Sequence, residues 1–170
     1  MKKLQISGFT LIEILVVVVI VSILTVIGVQ MISSGSVERN LQQHGRILQS
    51  SIEFACDQAI LQNMPYGLTV SQAAYGFSIL TEKNWQPAIY QENSLDKTFT
   101  DGSQISLVLD GQETTLAKEL GETPQIVCDT TGEISPFRLE ISDATGQHHY
   151  QLTTTDFWQI EGQWLDEKSQ

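Results

Sequence analysis

Glu13 is the first residue whose chemistry demands an explanation. It opens an otherwise uncharged stretch: the 24 residues from Ile14 to Val37 carry no charge, and Ile14 to Val29 reads ILVVVVIVSILTVIGV. A carboxylate inside lipid costs about 2.5–3.5 kcal/mol on insertion scales, so such a group needs a partner and a role. No Lys, Arg or His follows Glu13 within two helical turns. The partner that remains is a newly made amino terminus, the chain's own or a neighbour's. Other reactive residues are sparse. Cys56 and Cys128 are the two cysteines, too few for a disulfide scaffold or a zinc module. They either bridge in an oxidising compartment, closing a loop worth about 4 kcal/mol on the chain-entropy model, or stay as two buried thiols. His148 and His149 are adjacent on a predicted strand and so point to opposite faces, which argues against joint metal ligation. His44 lies on an apolar helical stripe and is expected to pack there. Asp96, Asp101 and Asp110 are candidates for a loop-bound cation, but their spacing matches no loop motif. No HExxH, CxxC, EF-hand or GxSxG pattern occurs. We therefore expect no catalytic residues, no metal and no cofactor.

The elements that must position these residues begin with the apolar run. A helix from Phe9 to Val29 has 21 residues and is about 31 Å long, the thickness of a bilayer core. Its Ile and Val content would suit a strand in water, but a lone strand in lipid cannot satisfy its backbone, so the helix is preferred. Lys2 and Lys3 precede it, which places the N-terminus in the cytoplasm and the bulk of the chain outside. A secretory signal cleaved near Ser33-Ser34-Gly35-Ser36 is the competing interpretation; the length of the run and Glu13 both speak against it.

Beyond the span, Val37, Leu41, His44, Leu48, Ile52, Ala55 and Ala59 form a stripe at helical spacing, and Pro65 ends the helix. Strands are predicted at Tyr66–Val70, Tyr75–Leu80, Gln104–Leu109, Gln125–Cys128, Phe137–Ser142 and Gln147–Thr153. Turns fall at Asp101-Gly102, Asp110-Gly111, Thr131-Gly132 and Thr145-Gly146. Residues 112–123 are polar and read as a helix or a loop. Trp85 is expected in the core; Trp158 and Trp164, in an acidic tail, are interface candidates.

Composition narrows the function classes. The 170 residues hold 41% hydrophobic and 17% charged residues, a mix that folds. Acidic residues outnumber basic ones 20 to 9, for a net charge of −11. A surface that acidic repels phosphate backbones, so nucleic-acid binding is disfavoured.

Gly8-Phe9-Thr10-Leu11-Ile12-Glu13, following a short basic leader, resembles the processing motif of type IV pilin-like proteins. The resemblance implies cleavage after Gly8 by a prepilin peptidase, N-methylation of Phe9, and Glu13 as the fifth mature residue, pairing with an amino terminus to set subunit register. Further along, Asp57-Gln58-Ala59-Ile60-Leu61, Met64-Pro65-Tyr66-Gly67-Leu68, Tyr75-Gly76-Phe77, Trp85, Gly132-Glu133 and Pro136-Phe137 stand in an order similar to the H-type minor pseudopilins of type II secretion. These resemblances imply an α+β, pilin-like fold, a long N-terminal helix packed on an antiparallel β domain. The expected division is a leader at 1–8, a transmembrane helix at 9–33, an amphipathic half at 34–64 and a β domain at 65–170. The implied function is a minor pseudopilin linking tip complex to shaft. The implied location is the bacterial inner membrane, single-pass, with the C-terminal domain periplasmic. The implied partners are the major and tip pseudopilins, the peptidase and the inner-membrane assembly platform. The alternative is a minor pilin of a type IV pilus, acting in priming or surface binding. A membrane-anchored periplasmic enzyme has no motif to support it.

Overall fold

The computed structural model describes the backbone of residues 11–90 and 93–166, and the side chains within them except at 25–36, 93 and 166. Gly8 and Phe9 lie outside the described residues. The chain divides into two compact units, Met1–Glu38 and Arg39–Gln170. One helix, α1 (Leu11–Gln62), runs through the division. Its stop is chemically specific. Asn63 adopts φ 53°, the Asn63 N–H donates to the Ile60 carbonyl at 3.3 Å, and the Met64 N–H donates to the Ala59 carbonyl at 3.2 Å. That pair of reversed bonds is the Schellman cap, with asparagine in the left-handed position and Pro65 following to forbid another turn.

Among the described residues twelve strands follow: β1 (Tyr66–Val70), β2 (Ala74–Thr81), β3 (Asn84–Pro87), β4 (Ile89–Tyr90), β5 (Asn93–Ser94), β6 (Lys97–Thr98), β7 (Gln104–Leu109), β8 (Gln112–Thr114), β9 (Ile126–Cys128), β10 (Phe137–Ser142), β11 (His148–Asp156) and β12 (Gln159–Asp166). Every pairing is antiparallel. The first sheet runs β3-β2-β1-β9, with β6 beside the start of β2; the second runs β12-β11-β10-β7-β8; β4 and β5 form a small ribbon. The centre of the second sheet shows why the alternation of apolar residues sets the register. Leu139 pairs with Leu107 on one side and Leu152 on the other, and all three are fully buried, while Arg138 points to water.

The part of α1 from Arg39 onward carries the shared core. Leu41, Leu48, Ile52, Ala55 and Ala59 are buried in one cluster with residues of both sheets. Small residues set the contact distance. Gly45 is buried beneath Tyr150 of β11, whose ring occupies the space a Cβ would need. Gly162 of β12 in turn makes room for the Tyr150 hydroxyl and for Gln49, whose amide donates to the Ile160 carbonyl at 3.1 Å. Gly45→Ala is therefore expected to destabilise the domain by about 1–3 kcal/mol despite its better helix propensity, and Gly45→Leu by more, because the ring is pinned. Thermal melts of the full chain check this: a variant melting at or above the parent temperature would refute the close packing.

The structure corrects the expectations for His44 and Trp85 and decides or adds two further elements. The buried stripe passes through Gly45, and His44 is exposed, since adjacent helical positions point about 100° apart. Residues 112–123 give the short strand β8 and then irregular chain, not a helix. Residues 159–166 are the edge strand β12. Trp85 is half-buried on edge strand β3, lying over Gly67 of β1 and not within the core.

Candidate processing and assembly site

Over its described N-terminal side chains, residues 11–24, α1 has no continuous polar side. From Leu11 to Leu24, twelve of the fourteen residues are large aliphatics, each about half exposed or more in the single chain. Ser22, one of the other two, turns its hydroxyl inward and donates to the Val18 carbonyl at 2.7 Å. A helix apolar on every face has no water-facing solution and must be covered by lipid or by other helices. Among the described residues, no helical stretch is long and apolar enough to cross a membrane; the described side chains of this face end at Leu24. Glu13 lies in the first described turn of α1.

Cys56 and Cys128 meet across the contact between α1 and the first sheet. Their Cα atoms are 5.2 Å apart and the sulfurs are joined. Cys128 also bridges Ile134, which draws the loop 129–133 against the end of the helix. The Asp129 carboxylate closes that loop, accepting from the Thr131 N–H at 2.7 Å, the Thr131 hydroxyl at 2.6 Å and the Glu133 N–H at 3.3 Å. The Thr131 hydroxyl and N–H hold its pKa below the ordinary carboxylate value.

The histidines are separately engaged. His148 Nδ1 lies 3.1 Å from the Asp143 carboxylate, and its ring packs 5.7 Å from that of Trp164, which places Trp164 in the sheet and not in a free tail. His149 Nδ1 contacts Glu140 at 2.6 Å and its Nε2 lies 2.9 Å from the Gly146 carbonyl. For Asp143, burial alone would raise the pKa. Hydrogen bonds from His148, the Thr145 hydroxyl and the Gln147 and His148 N–H groups outweigh it and bring the group to about 2. A carboxyl depressed from 3.8 to about 2 stabilises the fold above pH 4 and loses that contribution as pH falls toward 2. The stability gap between the parent and Asp143→Asn is therefore expected to narrow as the pH falls from 4 toward 2. Denaturant titrations across that range check it.

Asp96, Asp101 and Asp110 are all exposed, and among the described residues no three His, Cys, Asp or Glu side chains are placed to hold a metal ion. Phe157 stands beside Trp158 at the tip of the β11–β12 hairpin, both well exposed. The alternation of Ile160, Gly162 and Trp164 with Gln159, Glu161 and Gln163 was the available signal for the strand that makes this hairpin.

Comparison with known proteins adds what one chain cannot. The family model described as Type II transport protein GspH matches residues 45–156, and the prokaryotic N-terminal methylation motif matches residues 4–29. Type II secretion system protein H of Pseudomonas aeruginosa is 34% identical over 148 residues, covering 80% of this chain and 83% of that protein. Type II secretion system protein H of Escherichia coli is 25% identical over 164 residues, covering 92% and 94%. The crystal structure of the minor pseudopilin EpsH from the type II secretion system of Vibrio cholerae superposes with a TM-score of 0.66 at 20% identity, over 79% of this chain and 99% of that one. The solution structure of Escherichia coli GspH gives 0.51 at 16% identity, over 78% and 95%. The two structures establish a shared fold, a helix packed on antiparallel sheets. Family match and sequence identity together lead to one conclusion: the chain belongs to the GspH family, the minor pseudopilins of type II secretion, as a structural, non-enzymatic subunit with a prepilin-type methylation motif.

Proposed function

We propose that this protein is a minor subunit of the type II secretion pseudopilus, joining the tip complex to the shaft of the major subunit and so helping export folded proteins across the outer membrane. It is inserted once in the inner membrane through residues 9–33, with its C-terminal domain in the periplasm. A prepilin peptidase cuts between Gly8 and Phe9 and methylates the new amino group of Phe9. The observation that carries this reading is the coincidence, in one chain, of the methylation-motif match at residues 4–29 with a helix exposing aliphatic side chains all round from Leu11 to Leu24. In a filament, that helix packs among its neighbours' helices, and Glu13 pairs with the methylated amine of an adjacent subunit. A buried pair of this kind fixes register more than it adds stability. The Cys56–Cys128 bridge forms on the periplasmic side, where disulfides persist. The inner-membrane assembly platform and the other pseudopilins are its partners.

Intact-mass measurement of the full protein from its native membrane, without reductant, tests the scheme. A chain beginning at methylated Phe9 is the expected species. A chain beginning near Gly35 would make the N-terminus a removable signal and end the filament reading, and an intact Met1 would end the processing reading.

A further inference from the structure

The β11–β12 hairpin lacks the positive φ found in the β2–β3 and β7–β8 loops. Two-residue loops in hairpins favour positive φ and so Gly, Asn or Asp, because only those turns match the twist of the strands. The β7–β8 loop is Asp110-Gly111, with φ of 49° and 78°, and the β2–β3 loop opens on Glu82 at φ 56°. The β11–β12 loop is Phe157-Trp158, with neither residue at positive φ, and a register shift between Thr154 and Asp156 absorbs the mismatch. Two large aromatics thus sit 58% and 63% exposed where small turn residues would serve folding better. Such local conflicts with folding collect at functional positions.

The tip does not stand alone. Ile60 and Leu61, at the end of α1, are 50% and 76% exposed. Gly132 joins the two parts: a Cβ built on it would come within 2.7 Å of Ile60 Cδ1 and 4.0 Å of the Trp158 ring. The Ile134 N–H donates to the Phe157 carbonyl at 2.8 Å, and the Cys56–Cys128 bridge lies one helical turn behind Ile60. The platform is therefore held rigid from three sides. Acidic residues outnumber basic ones in and beside it: five carboxylates fall in the segments that build it, and Arg138, opposite Thr153 of β11, is an exposed cation on the adjoining strand. Asp57, Asp129, Glu133, Asp156 and Glu161 fall in the stretches 57–64, 129–135 and 154–161, which contain no Lys or Arg.

We infer that the platform of Ile60, Leu61, Phe157 and Trp158 is the docking surface for a different pilin-like subunit of the same filament, one presenting an apolar centre ringed by Lys or Arg. The inference rests on the pseudopilin reading and names its contact. Charge complementarity selects the occupant. A two-fold pairing of this surface with itself would set five carboxylates against five, in a chain of net charge −11. Rigid aromatic anchors with a charged rim are the usual make-up of an interface hot spot.

Photo-crosslinking in native membranes tests it, with p-benzoylphenylalanine placed at position 158 of the full chain and, as a control, at position 20 in the apolar helix. The expected result is an adduct at both positions with another pilin-like chain, the position-158 adduct mapping to a peptide rich in Lys or Arg. Combining Glu133→Lys with Asp156→Lys should reduce the position-158 adduct at least five-fold and leave the position-20 adduct unchanged. Both acids are exposed, so the fold tolerates the change. An adduct at position 20 with none at 158 would overturn the inference. So would an adduct at 158 with a second copy of this chain or with lipid, or one indifferent to the charge reversal. Each of these leaves the filament reading intact. No adduct at either position would overturn both.

Discussion

Replacing Cys56 and Cys128 together by alanine is expected to lower the melting temperature by about 15 °C, through a loss of about 4 kcal/mol. The size follows from the length of chain the bridge encloses. The cysteines are 72 residues apart in sequence, so the unfolded chain loses much loop-closure entropy when they are joined. Alanine suits the test better than serine, because Cys128 is 4% exposed and a hydroxyl there would add a desolvation cost of its own. Reductant should produce the same shift in the parent and none in the double variant. If neither reduction nor substitution moves the transition, the two residues are buried thiols in the native protein.

Glu13→Val is expected to leave cleavage and methylation intact and to lower incorporation into the filament at least ten-fold. Valine is far cheaper in lipid than a carboxylate, so retention in the membrane should improve. The defect must therefore arise after insertion, where the amine of an adjacent subunit loses its counter-charge and the helices lose the contact that sets their axial stagger. Glu13→Gln separates the two contributions: it keeps the shape and one hydrogen bond but not the charge. Intact mass reports processing, and the amount recovered with sheared or affinity-purified filaments reports incorporation. Normal secretion by the valine variant would remove Glu13 from the register role. At the neighbouring cleavage position, Gly8→Ala should be milder than a bulky replacement, which is expected to block processing.

Much of the architecture was legible where one physical signal stood alone. Tyr66–Val70, Gln104–Leu109 and Phe137–Ser142 are strands with the bounds that their apolar pattern and flanking turns predict. The helix ends where Pro65 demands, and Asn63 supplies the left-handed cap just before it. The failures share a cause. His44 was placed on the buried face because glycine has no hydropathy signal, yet Gly45 is the position the core uses, and only the Tyr150 ring against it shows why. Strand β12 went unseen because Phe157-Trp158 is not turn chemistry, so nothing marked a reversal before Gln159. The small strands β4, β5 and β6 are two residues each, below the length at which any periodicity exists. The apolar platform was half visible: Trp158 stood out by type, but its neighbours Ile60 and Leu61 lie about 100 residues earlier and are joined to it only by the loop at Gly132.

The bridge from Cys56 to Cys128 also decides which parts of the molecule carry load. In the filament proposed above, force on the subunit would enter through its N-terminal helix. Tension entering along α1 reaches Cys56 and crosses directly to Cys128, and from there passes into the chain that forms β10, β11 and β12. Residues 57–127 lie inside the covalent loop and are bypassed. The helix cap, the first sheet's central strands and the whole run from β1 to β8 can be stretched only if the disulfide breaks first. The domain is thus wired as a short tether with a protected lobe hung beside it, and the acidic, aromatic platform sits at the junction where force leaves the helix.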